Sequence, residues 1–541
     1  RLNAKITFDA EPTTWLSTSV NLLVNHSWGN TTKEDGGNKQ PRRTMIEMMP
    51  WMPMQFEDGT WSSSTTISDN IRIENISNPV YALNSTKQMR YRTQVFGNAS
   101  LTFHLLPGLD LKTQIGIDSH NNRNRDFLPP DLRGSDGFPL GQVNLVNSES
   151  LYWQEETFVT YQNTINKHRL NLMGGLSWQE RIYRTSTSTS KGFSNNFYGF
   201  ENIGVGTIPG IPTSNYDAWS MNSYFLRAGY TYDDRYILTV NARGDASSKF
   251  GSNHKWGFFP AVSVAWVVSK EKFMEKLPFI DNLKVRAGYG LAGNQNGIDS
   301  YTSLNLIRPN GVAPVGSSPV VTMDQLKNMN PDLKWEVKQT FNAGIEMALL
   351  GNRLLLTANY YNSKTKDMLY LYNVSVPPFT YNTLLANIGS MRNYGTELSI
   401  GITPLKTKDM ELNINANLTF QQNKLLSLDG NYQGEHISAT EYKSLAGLDG
   451  AGFHGGYNHI VYQIVGQPLG VFYLPHCTGL VSDGNGGYTY QIADLNGGGV
   501  SLEDGEDRYI AGQAVPKTIL GSNISFRYKD FDVSLQINGA F

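Results

Sequence analysis

Residues 411–423, ELNINANLTFQQN, alternate almost without error between two chemistries. Leu412, Ile414, Ala416, Leu418 and Phe420 fall on one face of an extended chain, and Asn413, Asn415, Asn417, Thr419 and Gln421 on the other. Period two is the mark of a strand whose faces meet different surroundings. The polar face is neutral, built of amides and hydroxyls where a strand on a soluble surface usually carries Lys and Glu. The pattern recurs in Leu16–Val24, Tyr236–Ala242, Ser522–Tyr528 and Phe531–Asn538. A chain made of such segments must find an apolar medium for one side and water for the other.

Short turn-like stretches join these segments in pairs: EPTT at 11–14, LLPG at 105–108, NKH at 166–168, DD at 233–234, GN at 351–352, PLKTKD at 404–409 and KD at 529–530. A longer one, SKEKFMEKLPFIDN, spans 269–282. Between pairs the chain wanders much further, over 26–90, 118–151, 180–220, 294–334, 363–386 and 422–515. Turns are therefore short on one side and long on the other, and about sixteen strands are expected.

Composition narrows the choice of medium. Charged residues are 17% of the 541, below the roughly 25% of soluble domains. Aromatics reach 11%, and 52 residues are Gly. No apolar run is long enough for a membrane-spanning helix, whereas a membrane strand needs only one apolar residue in two. Aromatics gather near strand ends: Tyr230, Tyr232 and Tyr236 about one turn, Trp256, Phe258, Phe259 and Trp266 along one strand, Tyr360 and Tyr361 on another. Such rings favour a membrane–water interface. A soluble β-sandwich explains the alternation but none of the neutral polar face, the one-sided loops or the rings. The expected fold is all-β, a transmembrane antiparallel β-barrel with short periplasmic turns and long extracellular loops.

The net charge of -2 leaves no basic footprint for nucleic acid. Cys477 is the one cysteine, which excludes internal disulfides and a cysteine-based metal cluster. GLAGNQNG at 290–297 lacks the Lys-Ser/Thr of a phosphate cradle, and His454, His459 and His476 lack metal spacing. No catalytic motif is present, and an enzyme is not expected.

Five stretches are more specific: NARGDASSKFG at 241–251, FPAVSVAWVVSKEKFM at 259–274, LKVRAGYGLAGNQNGI at 283–298, NPDLKWEVKQTFNAGIE at 330–346 and NIGSMRNYGTELSI at 387–400. With NPVYAL at 78–83 and DLNGGGV at 494–500 they resemble the SusC/RagA family of TonB-dependent outer-membrane transporters of Bacteroidetes. The resemblance implies a 22-strand barrel, a plug, a TonB-contacting segment and a SusD-like surface lipoprotein as lid. It also implies import of a nutrient, a glycan or alternatively a peptide, across the outer membrane. The chain starts without an initiator Met on a strand that runs toward a short turn. Placing three strands before it and three after gives 22 with the correct parity, so strands four to nineteen are expected, with plug and TonB-contacting segment lying elsewhere. The rival readings are a secreted soluble polysaccharide-binding β-protein and a passive porin.

Two sets of candidate site residues follow. Trp51, Trp61, Tyr457, Tyr488 and Tyr490 lie in the longest connections among Gly, Asn and Gln, where rings offer stacking area to a sugar face. Their alternative role is packing the loops against one another. DLNGGGVSLEDGED, from Asp494 to Asp507, resembles an oxygen-rich calcium loop, with Asp494 and Asn496 as first and third ligands and Gly499 as turn glycine. Gly498 and Gly505 stand where the fifth and twelfth ligands belong, so the match is partial.

Overall fold

The computed structural model describes residues 1–541 except 32–43, 47, 63–76, 131, 133–140, 317, 448–458, 483, 485 and 504. Two compact units are defined, Arg1–Phe158 with Leu176–Asn222, and Val159–Gly175 with Ser223–Phe541. Sixteen strands of ten residues or more are present among the described residues.

In the first unit Leu2–Thr13, Leu16–Asn30, Lys87–Leu106 and Leu109–Leu128 pair antiparallel, each with the next. In the second, Tyr236–Ser247, Trp256–Val267, Ile280–Asn294, Glu336–Leu349, Leu354–Asn373, Thr383–Lys406, Met410–Ser427, Thr518–Tyr528 and Phe531–Ala540 do the same. Gln142–Ile165, His168–Lys191 and Thr213–Tyr232 contribute residues to both units. Where a short turn joins two strands, it returns the chain at once into the neighbouring ladder. At Asp233–Asp234 both residues have φ of 51°, the left-handed pair that matches the right-handed twist of a hairpin.

Among the described residues no second layer covers the apolar face of these strands. Val264 is 51% exposed, Ile345 45% and Phe420 46%, each in the middle of a well-paired strand. The opposite face is open too, with Asn415 and Asn417 exposed. A soluble sheet buries one face, and this one buries neither. Bilayer and watery lumen are the two media that fit.

Rings mark the limits of the apolar band. Trp256 stacks on Tyr224 at 5.8 Å, and Trp266 stacks on Tyr236 at 6.4 Å. These tryptophans lie ten residues apart on one strand, the length that crosses hydrocarbon. At the short-turn end Glu271 fastens the girdle. Its carboxylate accepts from the Tyr236 hydroxyl at 2.7 Å, from Trp266 Nε1 at 3.1 Å and from Arg235 at 3.3 Å. The Tyr236 hydrogen bond, then that of Trp266, hold the Glu271 carboxyl below its ordinary range, helped by the Arg235 charge.

The neutral lumen face has a packing device of its own. Glycine stands directly opposite asparagine in the cross-strand pairs Gly288–Asn342, Gly344–Asn359, Gly401–Asn415 and Gly521–Asn417. A Cβ on these glycines would come within 3.1, 2.5, 3.1 and 2.7 Å of the facing amide. Each amide lies over its glycine, so the wall stays polar and thin.

The two faces predict opposite outcomes for one substitution. Ile414→Arg puts a charge into lipid at a cost of roughly 2–4 kcal/mol and should block assembly. Asn415→Arg, one residue along, should assemble. Heat-modifiable migration on gels reads both, and equal behaviour would contradict the assignment of the faces.

Candidate ligand-binding surface

The signature segments meet at the long-connection end of the second unit. Trp335 is buried, its ring 4.6 Å from Phe250 and 5.4 Å from Phe259, and its Nε1 donates to the Lys255 carbonyl at 3.0 Å. A Cβ on Gly293 would fall 2.2 Å from the Phe259 ring, and one on Gly251 1.5 Å from the Pro331 carbonyl. Asn330 Nδ2 donates to the Leu385 carbonyl at 2.8 Å. Asn387 Nδ2 donates to the carbonyls of Lys334 and Asp367 at 2.7 and 2.9 Å, while its Oδ1 accepts from Lys334 N at 3.0 Å. These segments build one buried junction that ties strand ends together. Their role is support.

Of the aromatic candidates, Trp61 packs. It bridges to Gln55 and stacks at 5.1 Å on Tyr81 of the helix Pro79–Ser85. Asn78 caps that helix: its Oδ1 accepts from Val80 N and Tyr81 N at 3.0 Å, and its Nδ2 donates to the Met54 carbonyl at 2.9 Å. The NPVYAL motif is thus a clamp beneath the Trp51–Trp61 segment. Trp51 itself is 71% exposed. Tyr457 lies outside the described residues.

Tyr488 and Tyr490 belong to the second unit, on the hairpin Cys477–Ser482/Tyr488–Ile492. They are 75% and 72% exposed, two residues apart on one strand face, with Leu480 directly opposite Tyr490. Beside them is a four-stranded sheet of Tyr442–Gly447, His459–Ile464, Val471–Pro475 and Arg508–Gln513. Tyr462, Ile464, Val471 and Tyr473 form its buried core. Arg508 is buried against it and donates to the Tyr462 hydroxyl at 2.6 Å. The connection expected to wander is therefore a folded platform. Arg508 was missed in the sequence because a lone arginine in a long connection carries no pattern.

The DLNGGG stretch closes on itself. Asp494 accepts from Gly497 N at 2.6 Å and Gly499 N at 3.0 Å, and Asn496 Oδ1 accepts from Gly498 N at 2.9 Å. Each of these three oxygens thus accepts one backbone amide hydrogen of its own loop. Among the described residues no group of three or more His, Cys, Asp or Glu is placed to hold a metal ion. Asp507 seals the loop from the far end, accepting from Leu495 N at 2.5 Å, Asn496 N at 3.4 Å and Ser501 N at 2.8 Å. The bond from Ser501, then that from Leu495, holds its carboxyl below the ordinary carboxylate range.

Below these loops the lumen face carries paired charge. Arg286 donates to Glu346 at 3.0 Å and to Asn359 Oδ1 at 2.7 Å, and Arg527 pairs with Glu411 at 2.9 Å. Glu346 also meets Lys284 at 3.5 Å. The wall offers hydrogen bonds without a dominant sign of charge.

An uncovered apolar face, aromatic rings at its edges, a polar opposite face and folded long connections fit the wall of an outer-membrane β-barrel. Residues 27–539 match the family described as TonB dependent receptor-like, beta-barrel, and the chain belongs to that family. It is 27% identical over 504 residues to the TonB-dependent receptor SusC of Bacteroides thetaiotaomicron, covering 90% of this chain and 48% of that one. It is 28% identical over 493 residues to the TonB-dependent receptor P3 of Formosa agariphila, covering 88% and 47%. The chain thus spans about half the length of the curated relatives it matches. The RagAB peptide importer in its open-open state superposes with a TM-score of 0.80 at 20% identity, over 99% of this chain and 56% of that one. The protein is an outer-membrane receptor barrel of SusC/RagA type. The soluble reading is overturned by the uncovered apolar face.

Cys477, exposed on its hairpin, is a ready probe of topology. On whole cells it should react with a membrane-impermeant maleimide, whereas Cys477→Ser carrying Lys408→Cys in a short turn should not. Asp507 yields a pH prediction. Its folded pKa lies below its unfolded value, so its contribution is full above the unfolded pKa and is lost as pH falls through the folded one. Protection of the Leu495, Asn496 and Ser501 amides against hydrogen exchange, taken relative to their intrinsic rates, should be full at neutral pH and fall on acidification below about pH 4. Asp507→Ala should exchange fast at every pH.

Proposed function

We propose that this chain forms the barrel wall and capture surface of an energy-coupled nutrient importer. In this reading TonB supplies the work, a plug contributed by the rest of the receptor gates the lumen, and a SusD-like lipoprotein covers the long loops. The observation that carries it is the pairing of exposed rings on folded loops with a hydrogen-bonding, charge-balanced lumen. A ligand is first held by stacking on Trp51, Tyr488 or Tyr490, then passed to amides and hydroxyls along the wall. That division suits a glycan, whose C–H faces stack on rings and whose hydroxyls satisfy Asn and Gln. A peptide is the second reading, favoured by the paired charges of Arg286, Glu346 and Lys284, which complement ionic side chains.

Tyr488→Ala combined with Tyr490→Ala in the full-length receptor tests capture, with Trp51→Ala measured separately. Stacking contributions of about 0.5–1.5 kcal/mol per ring predict a roughly fivefold or greater loss of ligand affinity in the double variant. Barrel heat-resistance should be unchanged, because all three rings are exposed. Trp61→Ala should instead loosen the loop it packs, seen as faster proteolysis around residue 55. Unchanged affinity in the double variant and in Trp51→Ala would remove the rings from the binding surface. Uptake measured in parallel with oligosaccharide and oligopeptide pools decides between the two ligands.

A further inference from the structure

A polar-lined cavity in the first unit faces away from the lumen. It has a volume of about 490 Å³ and is lined by His26, Tyr91, Thr93, Asn121, Arg123 and Arg125, all in the first unit. Register fixes the direction in which it opens. The cross-strand rows Val20–Ala99–Ile115 and Leu22–Gly97–Ile117 form part of the apolar, lipid-facing side. The same face continues through the rows His26–Thr93–Asn121, Trp28–Tyr91–Arg123 and Asn30–Met89–Arg125. The cavity therefore sits on the membrane side of the wall.

Its height follows from residue counting. At the short-turn end Trp15 stacks on Phe103 at 6.1 Å, and Phe103 pairs with Leu111. Arg123 lies twelve residues beyond Leu111 on the same strand. At about 3.3 Å per residue and a tilt near 40°, that is a rise of roughly 30 Å. The apolar band is about 25 Å tall, so the guanidinium stands just past the hydrocarbon, among headgroups. Trp28, 54% exposed, sits in the same row, as interfacial rings do.

Polar chemistry at this level on the outward face has no role in transport through the lumen. Arg123 is exposed and makes no ion pair among the described residues. Arg125 meets Glu201 at 3.5 Å, with both side chains substantially open to solvent, so that pair is weak. Lys87, also exposed, follows on the same face in the row beyond Met89. The two arginines, two residues apart on one strand face, are spaced by about 7 Å, so both can reach one phosphate with forked donors. Thr93 and Asn121 supply hydroxyl and amide partners for a sugar, and Tyr91 and Trp28 offer apolar area where headgroup meets acyl chain.

We propose that this cavity binds the phosphate of a phosphorylated glycolipid of the outer leaflet. Inorganic phosphate shares the charge, but a site on the lipid-facing wall at headgroup height is met by lipid first. The test uses full-length receptor in detergent, titrated with lipid A and with dephosphorylated lipid A and read by native mass spectrometry. Wild type should prefer the phosphorylated lipid at least tenfold, and Arg123→Gln with Arg125→Gln should abolish that preference without altering heat-modifiable migration. Should the double variant fail to assemble, Arg123→Gln alone, at an exposed and unpaired position, should reduce the preference at least threefold. Equal binding of the two lipids by wild type, or an undiminished preference in the variants, overturns the proposal. Complete displacement of the lipid by millimolar inorganic phosphate also overturns it, reassigning the site to a soluble anion.

Discussion

Everything in this protein depends on backbone hydrogen bonds that no solvent can replace. A strand in hydrocarbon has nowhere to send its N–H and C=O groups except the neighbouring strands. The serial antiparallel pairing, from Leu2–Thr13 to Leu109–Leu128 and again from Tyr236–Ser247 to Phe531–Ala540, satisfies that requirement in both units. Short turns follow from it, since sequence neighbours that pair need only a two-residue return. The apolar face follows as well, because side chains on the lipid side have no protein to bury against.

The inner face obeys a different rule. Water fills a lumen, so polar groups there cost little, but long charged side chains would bind cargo by charge alone. The wall answers with amides laid over glycines and with charges that are already paired. Gly344 illustrates the coupling: its missing side chain admits Asn359, and Asn359 in turn accepts from Arg286, which also binds Glu346. One absent Cβ thereby settles the position of a guanidinium.

Legibility in the sequence tracked how many solvents a segment meets. Where two media act, alternation is forced, and strands such as Met410–Ser427 are readable residue by residue. Beyond the membrane both faces see water and the pattern lapses, although pairing continues. Strands therefore run further than the alternation indicates: Gln142–Ile165 and His168–Lys191 each extend for 24 residues through NSES and TSTSTS stretches that look like loop. The hairpins and the sheet around Tyr462 were invisible for the same reason. Trp61 and Trp51 are indistinguishable by composition, and only the Tyr81 partner separates a packing ring from an exposed one. Asp494 fits the pattern of a calcium loop, and the same Asp, Asn and Gly build a turn that folds onto its own amides. The signature segments meet in one buried junction, where Trp335 packs on Phe250 and Asn387 donates to two backbone carbonyls.

The hairpin of Leu354–Asn373 and Thr383–Lys406 keeps its ladder from Leu354–Ile402 out to Asn373–Thr383. At about 3.3 Å per residue its longer strand runs for nearly 80 Å, whereas the apolar band is about 25 Å tall. Lipid therefore constrains a minority of its length. The remainder is free to change sequence without jeopardising insertion, and insertion is free of whatever the tips must recognise. A lineage facing a new diet can revise the upper storey while the foundation, answerable only to the bilayer, stays put.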